Sequence, residues 1–144
     1  MIDRMSSDSW RKARLDRRYD WVGPPDKISR IRPIRLRRIC NETATERDYR
    51  EAREALNEWN SRFWAEHNTL YEQRKAEFIA KKKEEIGRLE RVNANDLSQF
   101  YREFLDERKQ QMAIYNREWY RRNFSLIWPA LKVNLIRLRR LVRR

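Results

Sequence analysis

The residues from Asn93 to Phe124, NANDLSQFYREFLDERKQQMAIYNREWYRRNF, contain neither Gly nor Pro and repeat apolar side chains at three- and four-residue steps. Leu97, Phe100, Tyr101, Phe104, Leu105, Met112, Tyr115 and Trp119 carry that repeat, which is the period of one helix face. Asn93 is a capping residue, and Asp96 stands where a weak capping box would place it. Arg102, Glu103, Asp106, Glu107, Lys109 and Arg117 are left for water. One helix cannot bury so aromatic a face alone. Either the rest of the chain packs on it or a partner docks there, and the pattern allows both.

Little else in the chain suits a sheet. Two Gly and four Pro in 144 residues are too few for the turns of a many-stranded fold. With 40% charged residues and a mean hydropathy of −1.10, only a modest core can form. Six Trp, six Tyr and five Phe argue against plain disorder. The expectation is an all-α protein of three to four long helices, an elongated hairpin or bundle with an extended Gly-Pro-Pro arm before it. Cys40 is the single cysteine, so no internal disulfide can form.

In chain order, residues 1–20 carry Arg4, Arg11, Lys12, Arg14, Arg17 and Arg18, as a matrix-targeting segment would. Asp3, Asp8, Asp16 and Asp20 count against that reading, because such segments are acid-poor. From Asp20 to Ile39, Gly23, Pro24, Pro25 and Pro33 enforce a turn and an extended run lying along a helical body, anchored by Trp21. Thr43-Ala-Thr-Glu46 is a capping box for a helix with Tyr49, Ala52, Leu56, Trp59 and Phe63 on one face. Asn68 and Thr69, with Glu72 three residues on, predict a break there and a second helix to about Arg91. Pro129 predicts a kink or fresh start after the aromatic helix.

The net charge of +13 sits at the two ends of the chain. Residues 1–40 hold 12 basic and 5 acidic side chains, and residues 126–144 hold six basic and none acidic. Basic arms on a near-neutral body suit an anionic surface, lipid headgroup or RNA phosphate. Trp128, Leu131, Leu135, Leu138 and Val142 share a helix face beside Arg137, Arg139, Arg140, Arg143 and Arg144. Such a helix can lie in a membrane interface. It can equally dock on the body and leave a solvated tail. Thirteen apolar-rich residues, about Leu126 to Leu138, are too few to span a bilayer, which needs about 20.

Catalysis finds no footing. His67 is the only histidine, reads as a surface or helix-end residue, and has no companions at metal-ligand spacing. Asp106-Glu107 and Glu84-Glu85 are neighbours on helices and point apart. No enzyme, cofactor or small-molecule substrate is expected.

Three blocks together resemble one family: Asp20-Trp-Val-Gly-Pro-Pro-Asp26, Glu58-Trp-Asn-Ser-Arg-Phe-Trp64 and Tyr115-Asn-Arg-Glu-Trp-Tyr-Arg-Arg-Asn-Phe124. They are similar, in order and spacing, to the cytochrome c oxidase assembly factor 8 family, also described as mitochondrial apoptogenic proteins. The likeness runs over roughly residues 20 to 135. It implies a non-catalytic factor on the matrix face of the inner mitochondrial membrane, peripheral to it. That factor would support assembly and stability of cytochrome c oxidase, respiratory complex IV, with a link to apoptosis. Residues 1–19 are then a basic N-terminal segment, 20–135 the helical domain and 126–144 a basic helix overlapping its end.

On this reading the partner is a cytochrome c oxidase subunit or assembly intermediate. Trp59, Phe63, Trp64, Tyr115, Trp119, Tyr120 and Phe124 are the expected contacts, with Trp21, Gly23, Pro24, Pro25 and Asp26 as a positioning arm. Trp128, Leu131, Leu135 and Leu138 with Arg137, Arg139, Arg140, Arg143 and Arg144 are the expected contacts to an anionic inner-membrane surface. A different class stays open, a small basic RNA-binding helical protein such as one attached to the mitochondrial ribosome. Its pI near 10.4 and interleaved Arg and aromatics suit RNA, although no recognised RNA-binding module is visible.

Overall fold

Thr43 begins the first helix by the reciprocal pair that the sequence predicts. Its hydroxyl accepts from the Glu46 amide at 3.3 Å, and the Glu46 carboxylate accepts from the Thr43 amide at 2.9 Å. In the computed structural model, which describes residues 16–87 and 92–143, helix α1 then runs unbroken from Ala44 to Ile86. Gly87 ends it at φ 98°, a conformation open to glycine and strained for other residues.

The break predicted at Asn68 and Thr69 is therefore absent. Asn68 does not cap: its side-chain amide donates instead to the Ile28 carbonyl at 2.8 Å. His67 and Tyr71, flanking it, pack on Phe104 of the next helix. Tertiary contacts on both sides of the site outweigh a local capping signal.

Helix α2 spans Ala94–Ser125, with Asn93 capping through its side chain to the Asn95 amide. Ring contacts pair Phe78 with Phe100 and Tyr71 with Phe104 near one end, and Trp59 with Tyr115 toward the other. The two helices are thus antiparallel. A turn at Leu126 leads into helix α3, Ile127–Val142, where Pro129 falls in the first turn and forfeits no helical hydrogen bond. Arg140 reaches Glu46, so α3 continues along α1 toward its N-terminus. One 43-residue helix, about 65 Å long at 1.5 Å per residue, is backed by two helices of 32 and 16 residues. Among the described residues this gives three helices in an elongated hairpin, an all-α fold.

The arm before α1 is extended, as the prolines require. Trp21–Val22 (β1) and Ile34–Arg35 (β2) form a two-residue antiparallel pair with Trp21 opposite Arg35. Its partners on α1 are Glu54, Asn57, Ser61 and Asn68, spaced as one stripe of the helix.

Candidate functional site

Tyr115 is the bolt of the α1–α2 seam. Its ring stacks on Phe63 at 3.9 Å and 10° and on Trp59 at 5.3 Å and 17°. The Trp64 indole donates to its hydroxyl at 2.9 Å, and that hydroxyl donates on to the Asn60 side chain. Burial, against the lowering effect of the Trp64 bond, pushes the phenol pKa up. Arg122 caps the stack, its guanidinium 4.5 Å from the centre of a Trp59 ring. Hydrogen bonds from Arg121 and then Arg122 hold the Glu118 carboxyl down at about 2. Trp59, Phe63, Trp64 and Tyr115, expected as partner contacts, are thus engaged inside the chain.

His67 was expected at the surface, and the structure corrects this. It is buried among Phe63, Trp64 and Phe104. Desolvation first, then the nearby Arg108 charge, lowers its pKa and so favours the neutral imidazole. The residue lies mid-helix because α1 does not break at Asn68, so the absent break and the buried histidine have one cause.

In the arm, Gly23 is held by its amide bond to the Pro33 carbonyl at 2.9 Å. A Cβ there would lie 2.5 Å from the Trp21 ring and 2.8 Å from Pro33, so only glycine fits. Asp26 is a turn-former. Its carboxylate accepts from the Ser29 and Ile28 amides at 2.7 and 3.0 Å. Burial opposes its ionisation, but these amide bonds outweigh it and hold the carboxyl below its usual range. Ser29, buried by the turn, meets the Ser61 hydroxyl at 2.9 Å. Pro24 and Pro25 remain exposed and Trp21 is half-buried. The arm is positioned on α1 as a unit.

The exposed apolar surface lies farther along the chain. Trp119, Tyr120 and Phe124 form a chain of ring contacts at 5.2 and 6.3 Å on the outside of α2. At 100° per residue Phe124 stands on the side of the helix opposite Tyr115, which explains why one aromatic run supplies both core and surface. Helix α3 is apolar on two opposite faces. Pro129, Val133 and Ile136 face the body, with Val133 only 1% exposed. Trp128, Leu131, Leu135, Leu138 and Val142 face outward, Trp128 at 63% and Leu138 at 57%. The docked reading of this segment holds for the body-facing side, and the opposite side leaves an exposed apolar stripe.

Arg140 departs from its expected place among the surface cations. It turns inward to the buried Glu46 carboxylate and the Asn41 carbonyl at 2.7–2.8 Å. Lys132, Arg137, Arg139 and Arg143 remain exposed, whereas Arg144 lies outside the described residues. Among the described residues no helix is long and apolar enough to cross a membrane, and no three His, Cys, Asp or Glu side chains gather as a metal site.

Residues 19–139 match the family model described as cytochrome c oxidase assembly factor 8. The chain belongs to that family. A mitochondrial protein of the family from Caenorhabditis briggsae is 61% identical over 138 residues, 96% of this chain and 97% of that protein. The Bos taurus cytochrome c oxidase assembly factor 8 is 38% identical over 129 residues, 84% of this chain and 67% of its own. The Homo sapiens protein of that name is 38% identical over 128 residues, 83% of this chain and 62% of its own. No solved structure is found to be similar.

The family match spans the arm, the seam and nearly all of α3. Two of the residues that tie these parts together, Glu46 and Asn57, were not singled out from sequence as contacts. The arm stripe Glu54, Asn57, Ser61 and Asn68 was legible in principle, being polar at steps of three, four and seven on a helix whose other face is aromatic.

Proposed function

We propose that this chain is a non-catalytic mitochondrial factor that supports the assembly and stability of cytochrome c oxidase. It works at the matrix face of the inner membrane, held there peripherally, by binding a subunit or assembly intermediate. The names of its relatives support the assembly role and the mitochondrial location. The observation that carries the mode of action is the outward face of α3, where Trp128, Leu131, Leu135 and Leu138 stand exposed beside Lys132, Arg139 and Arg143. Large exposed apolar side chains flanked by cations are the signature of an interfacial helix. Each cation near an anionic leaflet contributes about 1 kcal/mol. RNA would attract the same charges but would leave the aliphatic stripe in water.

The test is complementation in cells lacking their own family member. Restored complex IV on native gels, with the protein pelleting with membranes and released by alkaline carbonate, is the expected result. Unrestored complex IV, or a protein that sediments with ribosomes and is released by ribonuclease, overturns the reading.

A further inference from the structure

Where the arm, the first turns of α1 and α3 meet, a cavity of about 340 Å³ opens, lined by Arg18, Arg37, Arg50, Arg53, Arg137 and the Tyr49 ring among others. Three carboxylates also border it, and each is already engaged. Glu46 is taken by Arg140, Glu42 by the Nε and Nη2 of Arg50, and Asp20 by the Arg37 amide. Arg50 itself is only 6% exposed, yet its Nη1 has no hydrogen-bond partner among the described residues. Glu54 Oε2 stands 4.0 Å from it and accepts from Arg35 at 3.5 Å, while Glu54 Oε1 accepts from the Leu36 amide at 2.8 Å. A buried guanidinium nitrogen without an acceptor is costly unless something supplies one.

We infer that this cavity is a binding site for a phosphate group, with Arg50 as its inner donor and Arg37, Arg53 and Arg137 closing around the oxygens. Several guanidinium forks around one space suit a tetrahedral oxyanion, which accepts in pairs along each fork. The volume exceeds that of a bare ion and falls in the range of sites for small molecules. The ligand is therefore a phosphate bearing a short polar stem, such as a glycerol phosphate. That group is found both on free metabolites and at the headgroup of anionic lipids. The inference stands on the cavity and goes beyond the assembly role.

The test uses the whole chain. Binding of inorganic phosphate and of glycerol 3-phosphate is measured by calorimetry, and flotation is measured with vesicles of phosphatidylglycerol in phosphatidylcholine and of phosphatidylcholine alone. Arg50 is buried and its loss endangers the fold, so the variant is the exposed pair Arg37→Gln with Arg53→Gln. Its control is Arg102→Gln with Arg117→Gln, which removes the same charge from α2.

Saturable binding that falls about tenfold or more in the first pair and not in the control is expected, because hydrogen bonds to charged groups carry that much. If the soluble probes show it, the source is a free phosphate; if only phosphatidylglycerol vesicles show it, the source is a headgroup. No saturable binding to any probe, or equal loss in both pairs, overturns the inference. Failure here leaves complex IV complementation untouched, so the two readings fail separately.

Discussion

Arg140 donates two hydrogen bonds of 2.7 Å to the Glu46 carboxylate, joining α3 to the first turn of α1 across 94 positions of sequence. Glu46 thereby closes the Thr43 capping box and tethers the last helix with one carboxylate, buried to 2% side-chain exposure. The pair ties α3 to α1 beside the packing of the buried Val133 on the body. A buried pair broken on one side costs about 3–5 kcal/mol. Arg140 is a third exposed, so Arg140→Ala is expected to cost roughly 2 kcal/mol after solvent screening. Arg140→Lys is expected to recover little, since a lysine cannot fork. Urea unfolding of the three proteins checks this. The pair also gives a pH signature, because Glu46 sits below its ordinary pKa despite burial, held there by the Thr43 amide and Arg140. Its contribution is full above the unfolded value near 4.5 and is lost as pH falls through the folded one.

Tyr115 provides the second prediction. Tyr115→Phe keeps the stack on Phe63 and Trp59 but strands the Trp64 indole N–H and the Asn60 side chain. The expected cost is about 1–3 kcal/mol, the desolvation penalty of unpaired buried groups. Tyr115→Ala removes the ring as well and is expected to cost about 3–5 kcal/mol. Trp119→Ala, on the half-open side of α2, is expected to cost less than either. Calorimetric melting of the three variants orders them; a Trp119 loss as large as that of Tyr115→Ala would place Trp119 in the core.

His67 predicts a second pH window, above that of the carboxylates. Its folded pKa is depressed by burial and by Arg108, so the unfolded chain takes up the proton first. Stability therefore rises with pH through the unfolded value of 6.5 and is lost as pH falls from there toward the folded one. Melting temperature is expected to drop as pH falls below the unfolded value of 6.5, and His67→Gln is expected to flatten that drop. An equal slope in both proteins would show that the titrating group lies elsewhere.

Gly23→Ala addresses the arm. The added methyl meets the Trp21 ring and Pro33 closer than van der Waals contact, so the β1–β2 pair must shift. Overpacking of this kind costs about 1–3 kcal/mol. Helical circular dichroism is expected to stay unchanged while protease cuts residues 20–40 faster. Unchanged cleavage would mean that the arm holds without its close approach.

Much of this architecture was legible in the chain. The capping box at Thr43, the start of α2 at Asn93, the proline-held arm and the new helix near Pro129 all rest on local chemistry, and local chemistry is what a sequence displays. What escaped it were choices made by distant partners. Asn68 looks like a cap until the Ile28 carbonyl claims it, and Arg140 looks like a solvated cation until Glu46 does. The aromatic run divides into Tyr115 inside and Phe124 outside because α1 covers only one side of α2. The cavity was invisible for the same reason, its five arginines coming from three separate segments.

The outward stripe of α3 bears the central claim, and flotation with cardiolipin-containing vesicles tests it most directly. Leu131, Leu135 and Leu138 are each about half exposed, so replacing all three by Ser removes apolar surface without opening the core or changing any charge. The triple variant is expected to keep its helical signal and melting temperature while losing most of its vesicle binding at physiological salt. If it floats as tightly as the parent, the stripe does not hold the protein to the membrane, and the interfacial reading of α3 is wrong.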